Sequence, residues 1–173
     1  RSRGLGDVYK RQELNRLIRE NRIQKTYLCV LTATPPKQTD ILHAYHWKDA
    51  KTNTVTISDH PKAGYREIIT EYRVLQQQNG LCLAEITLHT GRTHQIRAHM
   101  AHIHAPLAGD SKYGDRRKNE SLHLKHQLLC AYQLQFHPEA DSCLAYLNGK
   151  TVTAPLPDFV SRFFPTFSSK NRK

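Results

Sequence analysis

Apolar residues recur along the chain at two spacings, and the switches between them delimit the elements. Leu14, Leu17 and Ile18 are spaced for one side of a helix, so residues 13–21 are expected to form a short amphipathic helix. Residues 25–33 (KTYLCVLTA) follow with strand-forming types, ended by Pro35-Pro36. Residues 41–47 and 53–58 are two shorter strand candidates around the polar turn KDAKTN. Residues 68–75 (IITEYRVL) and 81–90 (LCLAEITLHT) predict the clearest hairpin. Cys82, Ala84, Ile86 and Leu88 alternate onto one face, and Asn79-Gly80 supplies the turn.

After Gly91 the spacing becomes helical. Ile96, Met100 and Ile103 stand at i, i+4 and i+7, predicting a helix through RTHQIRAHMAHIH that Pro106 closes. Residues 109–125 read as a polar loop and 128–136 as a strand. Residues 145–147 and 151–153 read as paired strands joined at Asn148-Gly149. Pro157 opens a last short helix ending at residue 164. This order, with short turns between strands, predicts an α+β fold: a mostly antiparallel mixed sheet with a few packed helices.

A chain of 173 residues with 38% hydrophobic and 24% charged content suits one folded domain with a core. No apolar run has the length to span a bilayer, and the polar, basic start has no signal-peptide centre. Residues 1–12 (RSRGLGDVYKRQ) begin with Arg and do not share the pattern that follows. They read as a leader outside the fold, a scar or assembly artefact, which leaves residues 13–164 as the domain and 165–173 as a basic tail.

Charge narrows the function. There are 26 Lys and Arg against 15 Asp and Glu, a formal net charge of +11, which favours a polyanionic partner. No basic amphipathic membrane helix is present, so nucleic acid leads. Cys29, Cys82, Cys130 and Cys143 are widely separated without a CxxC, which argues against a Cys-based zinc site. The first three read as small buried thiols of a reducing cytoplasm. Among 11 His, residues 94, 99, 102 and 104 cluster, but H-E-x-x-H is absent and no Cys or acid is spaced to complete a site. No metal is expected, and these His read as hydrogen-bonding or RNA-facing surface groups.

The densest chemistry lies in TGRTHQIR, residues 90–97. A strand ends, Gly91 turns, and a helix begins with Arg92, Thr93, His94, Gln95 and Arg97 around its start. Free N–H groups and the positive end of a helix dipole suit phosphate or carboxylate there. Lys112, Arg116, Arg117 and Lys118 form a basic loop nearby that is a candidate for RNA backbone. The stretch TGRTHQIRAHMAHIHAPLAGDSKYGD resembles the C-terminal signature of RluA-like pseudouridine synthases, which joins TGR-x-HQIR to a later GD-x-x-YG. Here the second motif is Gly109, Asp110, Tyr113 and Gly114. Lys25 and Tyr27 resemble the family's K-x-Y strand, and ITEYRVL and the late FHP also fit.

The resemblance implies a cytoplasmic monomer that isomerises uridine to pseudouridine in structured ribosomal or transfer RNA, with neither cofactor nor metal. The base must leave its stack and enter a pocket. Tyr27 would pack on the flipped uracil, and Arg97 would pair with the catalytic aspartate, keeping it ionised. Arg92, Thr93, His94, Gln95 and Lys25 would hold RNA or substrate. The family's aspartate sits in an HRLD segment upstream of the K-x-Y strand, and no HRLD occurs in this sequence; neither Asp7 nor Glu13 fits that motif. The expectation is therefore a fragment, inactive alone, without a catalytic residue of its own. A basic RNA-binding module without catalysis is the alternative.

Overall fold

The computed structural model describes residues 3–168. Seven strands form one sheet: β1 (Ile23–Leu31), β2 (Thr39–Asp49), β3 (Thr54–Ser58), β4 (Arg66–Gln78), β5 (Leu81–Leu88), β6 (Leu129–Phe136) and β7 (Thr151–Thr153). Their spatial order is β3-β2-β4-β5-β1-β6-β7, and every pairing is antiparallel rather than mixed. Four helices accompany the sheet: α1 (Arg3–Arg19), α2 (Gln95–His102), α3 (Arg116–Ser121) and α4 (Asp158–Phe163). The α+β expectation holds.

β1 lies between β5 and β6, and its residues 28–31 are buried on both faces. Cys29 and Leu31 face a cluster with Tyr72, Ile86, Ile96 and Met100, so α2 covers this side. Leu28 and Val30 point the other way, to Leu83, Tyr132, Val160 and Phe164, where α4 packs. The two-residue period of the strand thus feeds two cores. The β4–β5 turn has Asn79 at φ 52° and Gly80 at φ 73°, the left-handed pair that suits a tight hairpin.

Several expectations need correction. α1 runs through most of the supposed leader instead of starting at residue 13, yet only Leu17 of its described apolar side chains is fully buried; Leu14 and Ile18 are 36% and 41% exposed. Arg16, bonded to Glu13 and Glu139, ties the helix to the loop after β6. α2 begins at Gln95 rather than beside Gly91. The polar loop contains α3, whose RRKNES has no apolar period to betray it; Asp115 caps it by accepting from the Lys118 N–H at 3.1 Å. Residues 145–147 form a 3-10 turn, and β7 pairs with β6. Asn148 at φ −56°, ψ 128° followed by Gly149 at φ 72° is a type II turn, whose twist does not suit a two-residue hairpin. Cys29 and Cys82 are buried, but Cys130 is only half-buried. Most of the expected basic tail, residues 169–173, lies outside the described residues. Among the described residues no helix is long and apolar enough to cross a membrane.

Candidate active site

The site is built on the turn between β5 and α2. Gln95, 2% exposed, holds that turn to β4. Its Oε1 accepts from the Arg92 N–H and the Thr90 hydroxyl, both at 3.0 Å. Its Nε2 donates to the Ile69 carbonyl at 3.1 Å and to Thr70 Oγ1 at 3.0 Å. Both amide protons and the carbonyl oxygen are therefore engaged inside the protein. Gln95 thus clamps the turn from within the protein while also lining the pocket beside it.

Thr70 Oγ1 also meets His99 Nδ1 at 2.9 Å. His99 is 1% exposed, not a surface group, and burial, with nearby His102 adding to it, lowers its pKa to about 4. His94 precedes α2 in the left-handed region at φ 52°. Thr93 is exposed, and its carbonyl accepts from the buried His46 Nε2 at 2.9 Å, which fastens the turn to β2.

Arg97 meets a carboxylate of this same chain. Its Nε and Nη2 donate to the two oxygens of Asp110 at 2.7 and 2.8 Å, a bidentate pair. The Asp110 side chain is 0% exposed and that of Arg97 15%. Burial alone would raise the Asp110 pKa; Arg97 and the N–H groups of Tyr113 and Lys112 outweigh it and hold the carboxyl below its usual range. Asp110 in turn raises Arg97. Tyr113 lies beneath the guanidinium, 5.2 Å from ring centre to Cζ. Its hydroxyl accepts from the Val55 N–H at 2.9 Å and lies 3.0 Å from His94 Nδ1.

The GD-x-x-YG segment is shaped for this task. Gly109 has φ 78°, and a side chain there would collide with the His126 carbonyl. A side chain at Gly114 would strike the Asp110 carbonyl. Asn119 locks the loop, accepting from the Gly109 N–H at 2.7 Å and donating to the Asp110 carbonyl at 3.0 Å.

A pocket of about 360 Å³ opens between this arrangement and the sheet, with Tyr27, Leu88, Leu129, His94 and Arg97 among its lining. Tyr27 sits at a β-bulge, where β1 shifts register against β6 after Thr26. It is half-buried, and burial raises its pKa. Arg92 and Gln95 also line the pocket, whereas Lys25 and Thr93 do not. Lys25 lies two residues before Tyr27 on the same strand face. In the basic loop, Lys112 and Lys118 donate to the carbonyls of Asn53 and Thr32, and Arg116 pairs with Glu120. These contacts tie three of the loop's four cations to protein groups. Sequence reasoning underrated Asp110 and Tyr113, which the GD-x-x-YG spacing already marked.

Comparison with known proteins gives the chain a family and a fold. A sequence model of the family described as RNA pseudouridylate synthase matches residues 10–102. The chain is 35% identical over 137 residues to an uncharacterized RNA pseudouridine synthase of Chloroflexus aurantiacus, covering 79% of this chain and 40% of that protein. It is 36% identical over 118 residues to the ribosomal large subunit pseudouridine synthase D of Haemophilus influenzae, covering 62% and 34%. The fold matches Human RNA Pseudouridylate Synthase Domain Containing 1 with a TM-score of 0.67 at 22% identity, over 87% of this chain and 61% of that one. The chain belongs to the RNA pseudouridylate synthase family, on its RluA-like side. It spans between a third and two fifths of the length of these curated relatives.

Proposed function

We propose that this chain forms the base-binding and arginine-bearing part of an RNA pseudouridine synthase that isomerises uridine in ribosomal or transfer RNA. The observation that carries the reading is the convergence of Tyr27 and Arg97 on one pocket, with Arg97 fixed by a buried carboxylate. A flipped uracil fits a space walled by one aromatic ring and two leucines. Leu88, Leu129 and Tyr27 would desolvate its faces, and Arg97 would offer positive charge where the reaction needs an anionic group held ionised.

The isomerisation breaks the N1–C1′ bond, turns the base and forms C5–C1′. Asp110 is not placed to assist as a nucleophile. Its oxygens accept from Arg97, Lys112 N–H and Tyr113 N–H, and the carboxylate has no exposure. It positions Arg97. Among the described residues no Asp or Glu lines the pocket, which favours the second reading, an RNA-binding part without turnover of its own.

Nucleoside analysis of RNA treated with the 173-residue chain separates these readings. We expect RNA binding without conversion of uridine. In a longer chain that carries an HRLD segment, we expect conversion, cut at least 100-fold by Arg97→Ala and by Tyr27→Ala. Wild-type rates in either variant would overturn the roles given to these residues. Conversion by the 173-residue chain would show that a carboxylate within it does the chemistry.

A further inference from the structure

A second concavity, about 280 Å³, adjoins the pocket and shares Arg92 with it. Its remaining cations are Lys48, from the end of β2, and Arg66, from the start of β4. Among the described residues no carboxylate lines it. Among the described residues neither Lys48, Arg66 nor Arg92 forms an ion pair, although Arg16, Arg22, Arg73, Arg97 and Arg116 all do. His46 and Thr93 form its base, and their mutual hydrogen bond of 2.9 Å joins β2 to the turn of the active site. Trp47, 41% exposed, stands on its rim. It stacks on Tyr65 with ring centres 6.3 Å apart and planes at 21°, and Lys62 lies 5.6 Å over Tyr65.

We infer that this groove is the binding track for the single-stranded RNA flanking the target uridine, with phosphates on Lys48, Arg66 and Arg92 and an unpaired base on Trp47. The inference rests on the proposed function, because the track leads into the same pocket through Arg92. Cations without protein partners retain counterions that a phosphate can displace. An aromatic face beside them offers stacking that tolerates any base. Neither a protein partner nor a bare anion site explains both parts: a small anion has no use for the exposed indole, and a cationic rim around so narrow a groove tracks a backbone. The sequence pattern behind it is Tyr45-His46-Trp47-Lys48, which interleaves aromatic and basic residues within a strand.

Trp47 is the only tryptophan in the sequence, so its fluorescence reports on this groove alone. The experiment titrates the 173-residue chain with a short single-stranded oligouridylate at several salt concentrations and follows both Trp47 emission and fluorescence anisotropy of the labelled RNA. Saturable quenching of Trp47 is expected. The double variant Lys48→Ala/Arg66→Ala, shown by circular dichroism to be folded, should bind at least tenfold more weakly at low salt. Its log–log salt slope should be shallower by about 1.4, since each single-strand phosphate contact contributes about 0.7. Tyr27→Ala is the control for the pocket. If RNA binds and Tyr27→Ala weakens it while the double variant keeps wild-type affinity and slope, the groove fails and the pocket stands. If oligouridylate binds without changing Trp47 emission, the stacking role fails. If no RNA binds at all, both readings fall.

Discussion

Arg97 on one side of the turn at residues 91–94 and the cations Lys48, Arg66 and Arg92 on the other are held in opposite ways. On the pocket side, Arg97 is bound by both oxygens of Asp110, and the neighbouring polar atoms of Gln95 and Asn119 are hydrogen-bonded within the protein. On the groove side, Lys48, Arg66 and Arg92 are exposed and have no carboxylate partner among the described residues. The first arrangement fixes one charge in one orientation and leaves it no counterion to release. The second leaves charges mobile and ready to exchange counterions for phosphate. A bidentate pair in a fixed loop suits recognition of one reacting group, and loose cations suit a backbone of any sequence. The contrast divides specificity from affinity between two neighbouring surfaces.

The largest way to break this contrast is to remove Asp110. Asp110→Ala leaves the Arg97 guanidinium, 15% exposed, without its carboxylate, and strands the N–H groups of Lys112 and Tyr113. Breaking a buried pair by deleting one partner costs about 3–5 kcal/mol. Urea denaturation should show a loss of that order, with Asp110→Asn milder because it keeps acceptors in place. A loss below about 1 kcal/mol would mean that Arg97 does not depend on Asp110.

Acid is the next lever, and it reaches His99, which packs beneath the turn through Thr70. His99 is buried and neutral, with its pKa lowered to about 4 from 6.5. Between those values the unfolded chain binds a proton that the folded chain does not, so stability falls as pH drops. The loss begins near pH 6.5, is complete below about pH 4, and amounts to roughly 3 kcal/mol at one pKa unit per 1.36 kcal/mol. Chemical denaturation at a series of pH values checks this. His99→Gln should flatten the curve in that window relative to the wild type, and an unchanged curve would remove His99 as the cause.

What the sequence revealed follows the same division. The strands with alternating or fully apolar runs, β1, β4 and β5, were legible because burial sets their period. TGRTHQIR and GD-x-x-YG were legible as motifs, and the structure joins them through Arg97 and Asp110. The clamp that Gln95 makes was not legible, since a polar residue beside two arginines gives no sign that both its amide protons point into the protein. α3 escaped notice because its side chains answer to a cap and a buried Asn119 rather than to an apolar face. The groove escaped as well, because Lys48, Arg66 and Arg92 come from three separate segments that only the β2–β4 pairing and the β5–α2 turn bring together.

The smallest expected effect is the sharpest test of the comparison. Lys48→Ala and Arg66→Ala remove exposed side chains that have no ion-pair partner among the described residues. Their cost in stability should stay within about 0.5 kcal/mol. The sign should lean toward stabilisation, because each change relieves repulsion among like charges in a chain of net charge +11. Thermal denaturation at low and moderate salt reads both quantities, and added salt should shrink the difference between variant and wild type. A destabilisation above about 1 kcal/mol in either variant would mean that the cation is held by the fold as Arg97 is. The groove would then share the construction of the pocket, and the contrast between a fixed charge and a free one would be lost.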